Sequence, residues 1–172
     1  MVLLCERLPA HLTSNVGRME GILYRGVHES RFSGVKSALV PKEPRPFTKE
    51  PKWDVAMWDN STWGTSTINA VIEHQHAQEG LPTSGLSTTP FFERARLYAL
   101  GRVASGCGYV LFIDIEKCQE LGIEQYRVNT LVHHPAVPED DEVILVAPSG
   151  DISEQVVVKV ERVCADVQPH SR

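Results

Sequence analysis

Three polar stretches of this chain have the residue types to do chemistry. Arg25 follows the run Gly21-Ile22-Leu23-Tyr24, Ser87-Thr88-Thr89 stands immediately before Pro90, and Glu139-Asp140-Asp141-Glu142 immediately before Val143-Ile144-Leu145-Val146. An arginine on a largely apolar strand is costly to bury unless it meets an anion or a carboxylate. Small hydroxyl residues at a strand end can be aimed into a cleft, and four acids at a strand entry concentrate negative charge. Each stretch also has a plainer reading. The arginine can be paired at a sheet edge, the Ser-Thr-Thr run can cap a helix that starts at Pro90, and the acidic turn can guard a sticky strand. Chemistry requires the three to meet, so the elements that carry them decide.

The alternation of Gly21–His28 reads as a first strand, with Ile22, Tyr24 and Gly26 on one face and Leu23 and Arg25 on the other. A helix is expected from Thr67 to Gln78, opening after Ser66 or Thr67, with Ile68, Val71, Ile72 and Gln75 as its buried stripe. Gly85–Thr89 reads as a short strand, and Pro90–Leu100 as an amphipathic helix capped by Thr88 or Thr89. Tyr109–Ile115 is the strongest strand signal and suits burial on both faces. A short helix over Glu116–Leu121 closed by Gly122 follows, then strands over Tyr126–Val132, Glu142–Ala147 and Glu154–Val163. Residues 3–16 carry a weak helical signal, 41–52 form a proline-rich loop, and Gln168–Arg172 is a tail. Trp53, Trp58 and Trp63 recur every five residues, which suits core plugs or a wall rather than a helix or strand face. The order of elements, without regular βαβ alternation, points to a single α+β domain spanning 1–172, with helices beside mainly antiparallel sheets. No glycine run matches a dinucleotide or phosphate-binding fingerprint.

At 172 residues and a net charge of −5, the chain can bury a sizeable core and is unsuited to coating nucleic acid. The charge is uneven: Arg31–Lys52 holds six basic residues against two acidic, while Phe91–Arg172 holds eight against thirteen. The apolar runs are too short to span a membrane. The first residues lack the basic start and long apolar core of a signal peptide, so a cytoplasmic protein, or one exported without a classical signal, is expected. Four scattered cysteines, with no Cys-x-x-Cys pair, suggest reduced thiols. His74 and His76 point about 200° apart on a helix and do not chelate one ion from a rigid scaffold. His133 and His134 take opposite faces if the strand continues. No metal site is expected.

In order and setting, Leu23-Tyr24-Arg25-Gly26, Gly85-Leu86-Ser87-Thr88-Thr89 with its following Glu93-Arg94-Ala95 helix, Tyr109-Val110-Leu111-Phe112-Ile113 and Pro138-Glu139-Asp140-Asp141-Glu142-Val143 resemble the ADP-ribosyltransferases of the arginine–serine–glutamate, cholera-toxin-like type. The resemblance covers about residues 21–163. It implies a core of two packed, mainly antiparallel sheets flanked by helices, and NAD as co-substrate without a metal. It also implies transfer of ADP-ribose to a macromolecular acceptor, protein or nucleic acid, by a toxin, effector or defence enzyme. A cognate antitoxin or immunity protein is the partner that such a toxin implies. By the same resemblance Glu142 stabilises the oxocarbenium ion formed as nicotinamide leaves, and Ser87 orients Glu142. Arg25 grips the dinucleotide phosphates, and the Gly26 backbone meets the nicotinamide amide. Thr88 lines the cofactor site, and Phe91, Phe92 or Tyr98 supplies an aromatic face for nicotinamide. Asp140 stands where arginine-modifying members carry a second glutamate. Its shorter carboxylate, with Glu139 as a neighbour, leaves the acceptor open. The other reading of the same resemblance is a non-catalytic domain that binds a nucleotide or a partner. A third, removal of an RNA 2′-phosphate with NAD, is disfavoured by the acidic Glu139–Glu142 run, since that chemistry wants a basic phosphate-binding set.

Overall fold

The computed structural model describes residues 21–42, 44, 55–56, 62–63, 66–76, 84–101 and 106–165. In chain order these form β1 (Ile22–His28), α1 (Val35–Leu39), the short ladder of β2 (Val55–Ala56) with β3 (Thr62–Trp63), α2 (Thr67–His76), β4 (Leu86–Thr88), α3 (Phe92–Leu100), β5 (Cys107–Asp114), α4 (Ile115–Glu120), β6 (Glu124–Arg127), α5 (Val128–Leu131), β7 (Val143–Val146) and β8 (Val157–Cys164). The expected helix over 3–16, Trp53 and Trp58, most of the proline-rich loop and the tail lie outside the described residues.

Two antiparallel three-stranded sheets, ordered β1-β5-β8 and β4-β7-β6, make the body, so the class is α+β. Leu23, Val27, Leu111 and Ile113 of the first sheet share one apolar cluster with Leu86, Val143 and Leu145 of the second. A single rung, Tyr24 with Thr89, joins the sheets at one corner, with N–H···O distances of 2.8 and 2.9 Å. The uninterrupted Val143-Ile144-Leu145-Val146 run is explained by its place. It is the central strand of its sheet and is buried on both faces. Val143 and Leu145 enter the shared core, while Ile144 and Val146 pack under α2 with Ala70 and Val71.

α3 lies across β1 and β5 on two glycines. A Cβ on Gly26 would stand 1.9 Å from the Ala95 carbonyl oxygen, and one on Gly108 would stand 2.1 Å from that of Ala99. The missing side chain of Gly26 therefore serves helix–sheet contact. Gly26→Ala must push the helix backbone away, and is expected to cost about 3 kcal/mol, the upper end for overpacking. Urea unfolding measures it; an unchanged midpoint would contradict this packing.

Other expectations need adjustment. α3 begins at Phe92, after Pro90, and its N-cap Phe91 offers no side-chain cap. Instead Thr89 Oγ1 accepts from the Phe91 N–H at 3.1 Å. The strand expected over Tyr126–Val132 ends at Arg127, because β7 provides no rung beyond Val143. There the chain turns into α5, whose first N–H, from Val128, donates to the Glu142 carbonyl at 2.8 Å. The cysteines are not all free thiols. Cys107 and Cys164, directly opposed on β5 and β8, form a disulfide. Their separation of 57 residues hides a cross-strand contact from any search for short spacings. Cys118 is free and buried, and burial, helped by Asp114, pushes its thiol up to about 12. No described helix is long and apolar enough to cross a membrane.

Candidate active site

The site is built where β1, β4, β7 and α2 meet, and strand alternation does most of the placing. On β4, Leu86 and Thr88 face the shared core, so Ser87 faces α2. Opposite Ser87 stands Ile144, and Glu142 precedes Ile144 by two residues and so shares its face. α2 brings Ala70 and Val71 onto this face for packing. One turn further on, the same stripe becomes His74 and Gln75. Gly85 leaves room for His74. A Cβ there would meet Ile144 Cγ2 at 2.6 Å and the His74 ring at 3.3 Å.

Glu142 is the focus of these contacts. Its side chain is 17% exposed. Gln75 Nε2 donates to Oε2 at 2.5 Å, and His74 Nε2 lies 3.5 Å from Oε1. The same His74 nitrogen is 2.7 Å from Ser87 Oγ. Burial alone would raise the Glu142 pKa, but hydrogen bonds from His74, Ser87 and Gln75, with the His74 charge contact, outweigh it. The carboxyl is held below its ordinary value.

Arg25 shares its face of β1 with the core residues Leu23 and Val27. Its Nε donates to the Ala38 carbonyl and its Nη1 to the Ser87 carbonyl, both at 2.8 Å. Burial draws the guanidinium down to about 10, Glu142 opposing, so it is still charged at neutral pH. Two of its five N–H groups are used in these bonds, and the fork reaches the backbone of Ser87 itself.

The acidic run sends its four side chains to different places. Glu139 is exposed, 3.9 Å from Arg94. Asp140 is buried at 6% exposure and held from α3, Oδ1 by Arg94 and Oδ2 by the Tyr98 hydroxyl; its carbonyl takes the Thr89 hydroxyl at 2.6 Å. Burial and that bond push the Tyr98 phenol up to about 12. Asp141 sits in the left-handed region at φ 42°, a conformation aspartate tolerates better than most residues. Asn129 donates to it at 3.3 Å, and Arg127 Nε lies 3.5 Å away as a charge contact without a hydrogen bond. Only Glu142 turns to α2. The run is therefore not a solvated guard for β7.

Thus Arg25, Ser87 and Glu142 are brought together, and Asp140 anchors the turn just before them. Thr88 does not line this space: it is buried, and its hydroxyl donates to the Val143 carbonyl at 2.6 Å across the sheet. Its role as a cofactor contact is replaced by one in the ladder. Of the three aromatic candidates, Phe92 is packed against Tyr24 and Phe112, and Tyr98 is bound to Asp140. Phe91 alone keeps 48% of its surface exposed without such a contact.

Comparison with protein-family models finds no match, and comparison with curated proteins finds none. The geometry must therefore carry the functional argument. A serine–histidine–carboxylate hydrolase uses one ring nitrogen for the serine and the other for the acid. Here one nitrogen, His74 Nε2, faces both, so Ser87, His74 and Glu142 are not arranged as that triad. A depression of about 430 Å³ lies between α1 and Asp151–Glu154, and Arg25, Ser87 and Glu142 do not line it. Chemistry, not volume, selects the site.

The residues that sequence reasoning missed are His74 and Gln75. A signal existed. Both extend an apolar helix stripe, where polar side chains must find buried partners.

Proposed function

We propose that the protein cleaves the bond between nicotinamide and ribose in NAD and transfers ADP-ribose to a macromolecular acceptor. The observation that carries this reading is the meeting of Arg25, Ser87 and Glu142 from three separated elements, with the glutamate partly buried and its carboxyl held below its ordinary value. A fixed carboxylate of this kind is worth most where positive charge develops in a water-poor site, as it does on the ribose when nicotinamide leaves. Arg25 supplies a pre-formed fork for a diphosphate, locked by two backbone carbonyls. Ser87 and His74 hold the carboxylate, and Phe91 is the exposed aromatic available to nicotinamide. Asp140, with both oxygens occupied, is a positioning residue of the turn; this leaves Glu139 as the exposed acid on the acceptor side.

Ser87→Ala removes one of the donors to Glu142 while leaving the backbone carbonyl that binds Arg25. Nicotinamide release is expected to fall about tenfold, the value of one hydrogen bond to a charged group. Losing Glu142 is expected to cost more; the reverse order would overturn the assigned roles. Cell extract incubated with the protein and NAD labelled in its adenylate part tests the transfer. Label that survives protease but not nuclease means a nucleic-acid acceptor, and the opposite pattern a protein. No retained label and no nicotinamide release would refute the reading.

A further inference from the structure

Gln75 is a buried amide, 9% exposed, whose two bonds fix which way it points. Its Nε2 donates to Glu142 Oε2 at 2.5 Å, and its Oε1 accepts from the Ala136 backbone N–H at 3.4 Å. Turned by half a rotation, the amide would set oxygen against the carboxylate and N–H against N–H, so only one orientation satisfies both ends. Ala136 belongs to the segment His133–Val137, which carries the exposed His133 and His134 rings and runs on into the acidic turn. Beyond Ala136, Asn129 Nδ2 ties that turn through the Pro138 carbonyl at 2.8 Å. The segment that leads into Glu142 is thus also joined to its carboxylate through space, across one rigid planar group.

We propose that Gln75 is a positioning residue that couples the His133–Val137 segment to Glu142, so that the placement of this segment sets the orientation of the carboxylate. The inference rests on the role given to Glu142 above. His74 approaches the carboxylate at Oε1 and Gln75 at Oε2, so a shift of Ala136 acts on the oxygen that His74 does not hold. Coupling of this kind is reciprocal: whatever disturbs Glu142 loosens the Ala136 amide, and the converse.

The test uses Gln75→Met, which keeps the length without the amide, and Gln75→Asn, which keeps the amide one methylene short. Amide exchange at Ala136, the titration of Glu142 by NMR, and kcat and KM for nicotinamide release from NAD are measured in each. In both variants the Ala136 amide is expected to exchange about tenfold faster, the loss of one partly buried hydrogen bond. Glu142 then titrates at higher pH, and kcat falls with KM for NAD unchanged. Faster exchange at Ala136 with Glu142 and kcat unmoved would reduce Gln75 to a structural tie and overturn the coupling, as would unaltered exchange. Should the methionine variant fail to fold, the asparagine variant decides alone. If Ala136 and Glu142 move together while even the unmutated protein releases no nicotinamide, the coupling stands and the ADP-ribosyl reading falls.

Discussion

Replacing Glu142 by glutamine or alanine is expected to lower nicotinamide release from NAD by about a hundredfold or more, the scale of losing an electrostatic catalytic group. The glutamine variant is the sharper test, because it keeps the side chain's volume beside His74, Ser87 and Gln75 and removes its charge. Donors that converge on a carboxylate would then meet an amide, part of which is itself a donor. Equal rates for the glutamine variant and the unmutated protein, with candidate acceptors present, would end the enzyme reading. The acid dependence has a definite sign. The folded protein holds Glu142 below its ordinary carboxylate value, so its contribution to stability is fully present above the unfolded value, about 4.3. It is lost as pH falls through the lower folded value, and turnover should follow the same limb. An activity loss centred well above an ordinary carboxylate pKa would mean that another group limits the reaction.

Arg25→Ala has the second large effect, and it is double. The guanidinium is the donor to the Ala38 and Ser87 carbonyls, so its removal orphans two partly buried acceptors at about 1–3 kcal/mol each. It also removes the fork assigned to the NAD phosphates, and affinity is expected to drop at least about tenfold, as for loss of a charge-assisted bond. Calorimetry with NAD and urea unfolding separate the two. Arg25→Lys sharpens the result: its single point charge keeps the attraction but not the paired carbonyl bonds, so affinity should recover partly and stability hardly at all. Unchanged NAD affinity in the alanine variant would leave Arg25 a structural brace only.

Much of the frame was legible from residue order. Alternation in Gly21–His28 put Arg25 opposite Tyr24 and Gly26, and both sides of that strand are used as the pattern demanded. The helix expected over Thr67–Gln78 and the strands expected over Gly85–Thr89 and Glu142–Ala147 were equally plain and appear, slightly shorter, as Thr67–His76, Leu86–Thr88 and Val143–Val146, since period and β-branching are local properties. Glycines were harder to read. Nothing near Gly26 in the sequence announces that Ala95 will lie against it, because a helix–sheet contact has no local signature. The Cys107–Cys164 pair was hidden for the same reason, and Tyr126–Val132 was cut short by the length of a neighbouring strand.

The acidic run separates the two kinds of information most clearly. Composition and order establish that four acids precede an apolar strand, and period two aligns Glu142 with Ile144 on one side of it. Their four destinations depend on α3, α5 and α2, elements that approach from up to 67 residues away in the chain. A carboxylate's chemistry is set by the donors and the dielectric around it, and these arrive only through tertiary contact. Residue order thus named Arg25, Ser87 and Glu142 as candidates. The fold alone added His74 and Gln75, tied Asp140 to the scaffold, and gathered donors around one partly buried glutamate.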